Sequence, residues 1–236
     1  MDIIKTTSLI WFFLILVCCS STKSMNSPMF KEGITKANDQ KTEQDKLKQG
    51  NLALGIGIIT LNEESYGKDK FIHIYNQDGS LWYQFTFYYN DSGRKFEYAN
   101  ENFKPFAFHL DYFVLALRCL DEDGNHYEVI VDEETGLKKF VRKDDETLKF
   151  ETWEQHILKT FAVDFDREKN PLRETPGGKI KKVDLPKEVT FHPVEISGEW
   201  LKVRWDISKK KKNNTEFGWI KWKENNNLLV ELFYFS

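Results

Sequence analysis

After residue 50, short runs of apolar residues alternate with polar ones, and polar clusters separate the runs. An alternation with a period of two is typical of β-strands that bury one face. The predicted strands cover residues 52–59, 71–75, 81–88, 112–120, 126–131 and 137–141. Residues 76–80 (NQDGS) separate two of these runs and have the Asp-Gly chemistry of a hairpin turn.

One helix is predicted in this region, over residues 152–161, where apolar residues recur at helical spacing. Its buried face would consist of Trp153, His156, Ile157 and Phe161. Residues 51–166 are therefore predicted to form an antiparallel, β-rich domain with one helix. No motif within this segment indicates a specific family.

The last seventy residues contain three motifs that read as short strands or turns. They are NPLRETPGG (170–178), GEWLKVRW (198–205) and GWIKW (218–222). In this order they resemble a bacterial SH3-like domain. The resemblance implies a small β-barrel over residues 167–236 that binds cell-wall polymers, peptides or proteins and does not catalyse a reaction. The long 207–217 loop and the apolar end at 228–235 depart from that family, and this end would add a strand or dock on the first domain.

Strand alternation predicts which residues of the SH3-like segment face solvent. The inward set would be Leu201, Val203, Trp205, Ile220 and Trp222. The outward set would include Trp200, Lys202, Arg204 and Trp219, and these four are the candidate ligand-binding residues. Alternatively, the two outward tryptophans cover the end of the barrel or pack against the first domain.

The N-terminus has the pattern of an export signal. Residues 9–17 (LIWFFLILV) are an apolar run too short to span a bilayer as a helix, and small residues follow it. The sequence around Cys18 and Cys19 resembles a bacterial lipobox. Cys19 is the preferred lipidation site because Cys18 is smaller than Val17 at the preceding position. The alternatives are an ordinary cleaved signal peptide and an uncleaved anchor.

A polar segment follows this signal. Residues 1–19 are assigned to the signal peptide, and residues 20–50 to a flexible linker that is poor in apolar residues. A short amphipathic helix over residues 35–47 is the alternative for part of this linker.

Charge differs between the two predicted domains. Residues 51–166 contain 12 Lys and Arg against 22 Asp and Glu, a balance of −10, whereas residues 167–236 contain 15 against 10, a balance of +5. The basic segment is suited to anionic envelope polymers. Lys209-Lys210-Lys211-Lys212 is predicted to be a solvated hairpin loop, and no motif indicates nucleic-acid binding.

No catalytic, metal or cofactor site is predicted. Cys119 is the only cysteine beyond the signal, and its place within a predicted strand favours a buried structural role over that of a thiol nucleophile. The five histidines lack metal-ligand spacing. Cys119 also has no second cysteine in the processed chain with which to form a disulfide.

Two functions fit these features. The first is a non-catalytic lipoprotein of the cell envelope, facing the periplasm or the exterior, or else secreted, whose SH3-like domain binds peptidoglycan or an envelope protein. Its contact with the membrane would be through the lipid anchor alone. The second is an inhibitor or immunity-type protein that binds a protein partner through the acidic first domain.

The choice of lipidated cysteine is testable. We expect Cys19→Ala to abolish acyl labelling and release the protein from membranes, because the modified thiol is lost. Cys18→Ala should leave labelling intact, since alanine suits the preceding position. Metabolic labelling with a fatty acid compares the two variants, and the opposite pattern would identify Cys18 as the modified residue.

Overall fold

The computed structural model describes residues 52–67, 69–88, 100–185, 188–209 and 212–236. The predicted signal peptide and linker lie outside these residues. The strands are β1 (Gly57–Leu61), β2 (Ile72–Tyr75), β3 (Leu81–Phe85), β4 (Ala107–His109), β5 (Val114–Glu122), β6 (His126–Asp132), β7 (Leu137–Arg142), β8 (Leu148–Glu151), β9 (Ala162–Asp164), β10 (His192–Ser197), β11 (Trp200–Lys209), β12 (Lys212–Lys221), β13 (Lys223–Glu224), β14 (Asn227–Leu228) and β15 (Glu231–Phe233). The α-helix is α1 (Trp153–Lys159), and Leu110–Tyr112 form a 3₁₀ turn.

The strands form antiparallel ladders, so the predicted mainly β class with one helix is confirmed for the described residues. The largest sheet has the order β3-β2-β7-β6-β5-β1-β8, and β4 also pairs with β5. A second sheet has the order β10-β11-β12. Two smaller sheets consist of β13 with β14 and of β9 with β15.

Two strands begin later than the sequence predicts, because of local backbone geometry. Gly55 has φ +74°, and a side chain there would collide with the carbonyl oxygen of Cys119, so the chain bends before β1. Phe113 has φ 56°, a left-handed conformation that closes the 3₁₀ turn before β5. The apolar runs continue through both bends, which is why the pattern alone misplaces these strand starts.

Helix α1 begins with a capping box. The Thr152 side chain accepts a hydrogen bond from the Gln155 backbone, and the Gln155 side chain accepts one from the Thr152 backbone. Trp153, His156 and Ile157 are buried as predicted, whereas Phe161 lies beyond the end of the helix and is 39% exposed. No helix within the described ranges is both long and apolar enough to cross a membrane.

The C-terminal sheet does not close into a barrel within the described part of the chain. The first of the three motifs, 170–178, contributes only isolated bridges from Arg173 to Trp219 and to Ile180. Pro171 and Pro176 have no backbone N–H to donate, so a continuous ladder cannot form along this segment. The fold class holds, but this part of the expected barrel pairs only through isolated bridges.

Side chains from both predicted domains share one hydrophobic cluster. Trp153 and Ile157 of α1 belong to the same cluster as Phe191, Trp205 and Trp222. A second cluster lies within the large sheet and contains only residues of the first predicted domain, 51–166, called the first segment below. At the apolar C-terminal end, strand β15 pairs with β9, so this end both adds a strand and docks on the first segment.

A buried ion pair lies where the large sheet meets α1. Arg118 is 2% exposed and Glu133 is 7% exposed. The Arg118 Nε and Nη2 atoms donate to the two Glu133 oxygens at 3.1 and 2.9 Å, and Nη1 donates to the Ala53 carbonyl at 3.3 Å. The guanidinium carbon is 5.3 Å from the ring centroid of Phe106 and 5.4 Å from that of Trp153. The charge is therefore paired and also covered by aromatic faces.

Removing one partner of this pair should cost more stability than removing both. We expect Arg118→Met to lower the free energy of unfolding by about 3–5 kcal/mol, because the Glu133 carboxylate would remain buried without a cation. Adding Glu133→Leu should restore much of that loss. Urea denaturation of the two variants measures the difference, and equal destabilisation of both would contradict this account.

Candidate functional site

The exposed side of the C-terminal sheet brings the four predicted ligand-binding residues together. On β11, Leu201 and Val203 are fully buried, while Lys202 is half-buried and Arg204 is exposed. The predicted alternation is therefore the one observed on this strand. Trp200 begins the outward row and is itself half-buried.

Strand β12 contributes a second outward row beside the first. Ile220 is fully buried, whereas Trp219 and Lys221 are half-buried and Phe217 is 43% exposed. Gly218 lies beneath this row, where an added side chain would come within 2.8 Å of Leu172. The absence of a side chain at Gly218 thus lets Leu172 pack closely under β12.

The register of the two strands places a cation opposite an aromatic ring at three successive positions. These antiparallel pairs are Trp200 with Lys221, Lys202 with Trp219, and Arg204 with Phe217. Directly opposite residues share a face of the sheet, so the three pairs form one surface. We call these six residues the cation–aromatic face.

Cations cover the tryptophan rings of this face. Lys202 Nζ is 5.6 Å from the ring centroid of Trp219 and 5.7 Å from that of Phe217. Trp200 lies 5.8 Å from Lys221 Nζ and 5.6 Å from the guanidinium carbon of Arg173. These distances are within the range of cation–π attraction. The tryptophans therefore form a mixed surface with the cations, and neither ring is a bare stacking platform.

The cations differ in how fully they are already paired. Lys202 lies 3.2 Å from Glu195, and Lys221 lies 2.6 Å from Glu224. Among the described residues, no acidic side chain pairs with Arg204. This guanidinium is the part of the face most available to an external anion.

Two positioning residues were not predicted from the sequence. Arg173 joins the sheet through hydrogen bonds of 2.8 and 2.9 Å with the Trp219 backbone, and its side chain reaches the Trp200 ring. The Asn170 side chain donates to the Lys221 carbonyl at 2.7 Å and accepts from its N–H at 2.9 Å. The motif 170–178 contains both residues, but only the three-dimensional pairing reveals these roles.

Cys119 has the environment of a structural cysteine. Its side chain is fully buried, and Sγ lies 3.6 Å from the Asp121 carbonyl oxygen. Burial, with a contribution from the Glu122 charge, raises the pKa of the thiol to about 12. The thiolate needed for nucleophilic attack is therefore scarce at neutral pH.

A buried network connects His156 with Glu151 and Tyr234. His156 Nδ1 lies 3.1 Å from Glu151 Oε2, and Nε2 lies 2.9 Å from the Tyr234 hydroxyl. Lys159 donates to the other Glu151 oxygen at 2.5 Å. Both imidazole nitrogens are engaged internally, so the network ties α1 to the C-terminal end instead of presenting a general base.

Two groups of this network have shifted pKa values. Burial would raise the pKa of Glu151, but the hydrogen bonds from His156 and Lys159 outweigh it and lower the pKa to about 2. Burial, followed by the nearby Glu151 and Glu133 charges, raises the pKa of the Tyr234 hydroxyl. The carboxylate is thus kept ionised and the phenol neutral.

The remaining predicted site residues have different outcomes. Cys18 and Cys19 lie outside the described residues, so lipidation stays a prediction. Strands β11 and β12 pair as far as Lys209 and Lys212, and residues 210 and 211 lie outside the described ranges. In the part of the chain that the structure covers, no group of His, Cys, Asp and Glu is arranged to hold a metal ion.

Comparisons of the chain with protein-family models, with curated proteins and with solved structures give no match. The resemblance to a bacterial SH3-like domain therefore stays a prediction from the three motifs.

The Glu151 network should make stability depend on acid pH. The folded carboxyl has a pKa of about 2 against an ordinary 4.5, so its contribution is present above pH 4.5 and is lost as pH falls towards 2. We expect Glu151→Gln to lower the free energy of unfolding at pH 6 by the order of 3 kcal/mol. Urea denaturation of both proteins at pH 6 and pH 2.5 should show the difference shrinking in acid, and a constant difference would contradict this account.

Proposed function

We propose that this protein is a non-catalytic binding protein of the cell envelope whose cation–aromatic face binds cell-wall material. The ligand class is a carboxylate-bearing polymer such as peptidoglycan. The observation that carries the proposal is the alternation of cations and aromatic rings over three successive strand pairs on one exposed sheet face.

This face combines two kinds of recognition that a glycan with acidic peptides requires. The edges of Trp200 and Trp219 and the exposed Phe217 offer apolar area to the C–H faces of sugars. Arg204 offers a planar guanidinium that can bind a carboxylate through two hydrogen bonds. Neither chemistry alone would distinguish a cell-wall polymer from a simple anion or a neutral sugar.

Charge supports an anionic ligand. Residues 167–236 have a balance of +5, whereas residues 51–166 have one of −10. A polyanion would therefore be attracted to the C-terminal segment and repelled by the first one. Salt should weaken this attraction, because charges separated by more than about 8 Å are screened at physiological ionic strength.

The cellular setting and the absence of catalysis are parts of the same proposal. The lipobox-like sequence at Cys19 supports an anchored protein at an envelope membrane, where cell-wall material is within reach. The burial and raised pKa of Cys119 argue against thiol catalysis. Binding requires no cofactor and no metal.

Retention on purified peptidoglycan sacculi tests the proposal. The full-length chain in detergent should co-sediment with sacculi at low salt. We expect Arg204→Gln to weaken retention about tenfold, since a charge-assisted hydrogen bond contributes about 1.5–3 kcal/mol. Trp219→Ala should weaken it by a similar factor. The matched control is Arg167→Gln, which removes one exposed arginine outside the face and should bind as the wild type does.

Thermal melts must accompany these assays, because a half-buried tryptophan also contributes to folding. If Trp219→Ala only lowers the melting temperature while the folded fraction binds normally, the ring is a packing residue. Equal losses for Arg204→Gln and Arg167→Gln would show a general charge effect and count against the face. One-to-one binding to a basic protein without sacculus retention would favour the inhibitor or immunity-type alternative.

A further inference from the structure

A groove of about 460 Å³ lies on the large sheet, in the acidic segment. It is bordered by β2, by the end of β7, and by the turn that leads into β8. The cation–aromatic face contributes no residue to it. The proposed cell-wall binding does not use this groove.

Two aromatic side chains of β2 line the groove. The His73 and Tyr75 rings have centroids 6.3 Å apart and planes 24° apart, so the two rings are stacked along one side of the groove. Both residues are half-buried, while Ile72 and Ile74, which alternate with them along β2, are fully buried on the opposite side. Within the described residues, no hydrogen bond engages the His73 ring or the Tyr75 hydroxyl.

The charges around these rings are predominantly negative. The carboxylates are Asp69, Asp144, Asp145 and Glu146, and the cations are Lys70 and Arg142. Arg142 binds Asp144 through hydrogen bonds of 2.8 and 2.6 Å, and Lys70 lies 3.1 Å from Glu146. Both cations are thus already paired with carboxylates.

Two carboxylates remain in excess after this pairing. Asp145 Oδ1 accepts hydrogen bonds from the Thr147 backbone and hydroxyl, at 2.9 and 2.6 Å. These contacts hold the side chain in place but do not neutralise its charge. No cation among the described residues pairs with Asp145 or with the exposed Asp69. The groove therefore combines excess negative charge with two aromatic side chains.

We propose that this groove binds a lysine or arginine side chain of a basic partner protein. Carboxylates attract the cationic head, and the ring of Tyr75 adds cation–π attraction. The surrounding segment, with its balance of −10, would steer a basic surface towards the groove. The protein would then have two binding sites of opposite charge preference, one for an anionic polymer and one for a basic protein.

The test uses a fluorescently labelled decalysine peptide and the full-length chain in detergent. The wild type should bind this probe and should not bind the same peptide with every lysine acetylated. Asp69→Asn with Asp145→Asn should weaken binding about fivefold, because two exposed ionic contacts are lost. Asparagine keeps an acceptor oxygen for Thr147, so the turn should be preserved.

Substitutions at Tyr75 separate ring chemistry from bulk. Tyr75→Phe should bind as the wild type does, whereas Tyr75→Leu should weaken binding about threefold, because its apolar volume remains but the π face is lost. Thermal melts confirm that each variant is folded. Equal binding by the Phe and Leu variants would overturn the role of the ring.

The charge control removes the same number of carboxylates elsewhere. Glu101→Gln with Asp184→Asn changes two exposed acidic residues outside the groove and should leave decalysine binding within about twofold of the wild type. A loss as large as that of the groove pair would overturn the proposal in favour of diffuse attraction. Failure of the wild type to bind decalysine would overturn it directly, and sacculus retention would be unaffected by either result.

Discussion

The buried pair of Arg118 and Glu133 is the interaction on which the arrangement of the first segment depends. It joins β5 to the turn after β6, and through the Ala53 carbonyl it also holds the chain that leads into β1. A charge in this position is tolerated only because every part of it is engaged: two carboxylate oxygens, one carbonyl, and the faces of Phe106 and Trp153. These partners come from distant parts of the sequence, so the pair requires that all of them be correctly placed together.

Trp153 connects this ion pair with the C-terminal sheet. One face of its ring covers Arg118, its Nε1 donates to the Leu54 carbonyl at 2.9 Å, and its side chain belongs to the cluster that contains Trp205 and Ile220. The inward residues of β11 and β12 therefore belong to one hydrophobic cluster with side chains from residues 51–166. Because strand alternation links inward and outward residues, fixing the buried row also fixes the outward cation–aromatic row.

The sequence predicted features that depend on local periodicity and missed those that depend on tertiary contacts. The alternation along β11 and the burial of Trp153, His156 and Ile157 on α1 were correct, since each follows from the spacing of apolar residues. The later start of β5 was missed because apolar character does not reveal the left-handed backbone of Phe113. The role of Arg118 was missed for a related reason: within an apolar strand it reads as one exposed residue, and its partner Glu133 lies in what reads as an ordinary polar turn.

The internal pairing of the cation–aromatic face is compatible with ligand binding, because its exposed ion pairs are weak. Surface pairs such as Lys202 with Glu195 contribute about 0–1 kcal/mol, so a ligand carboxylate can displace the glutamate at little cost. The cation–π contacts need not break in that exchange, since a lysine can keep its position over the ring while its anionic partner changes. The lysines and tryptophans would then be organised before the ligand arrives, and less conformational entropy would be lost on binding. The cation–π contacts that order the face can therefore persist when a ligand binds.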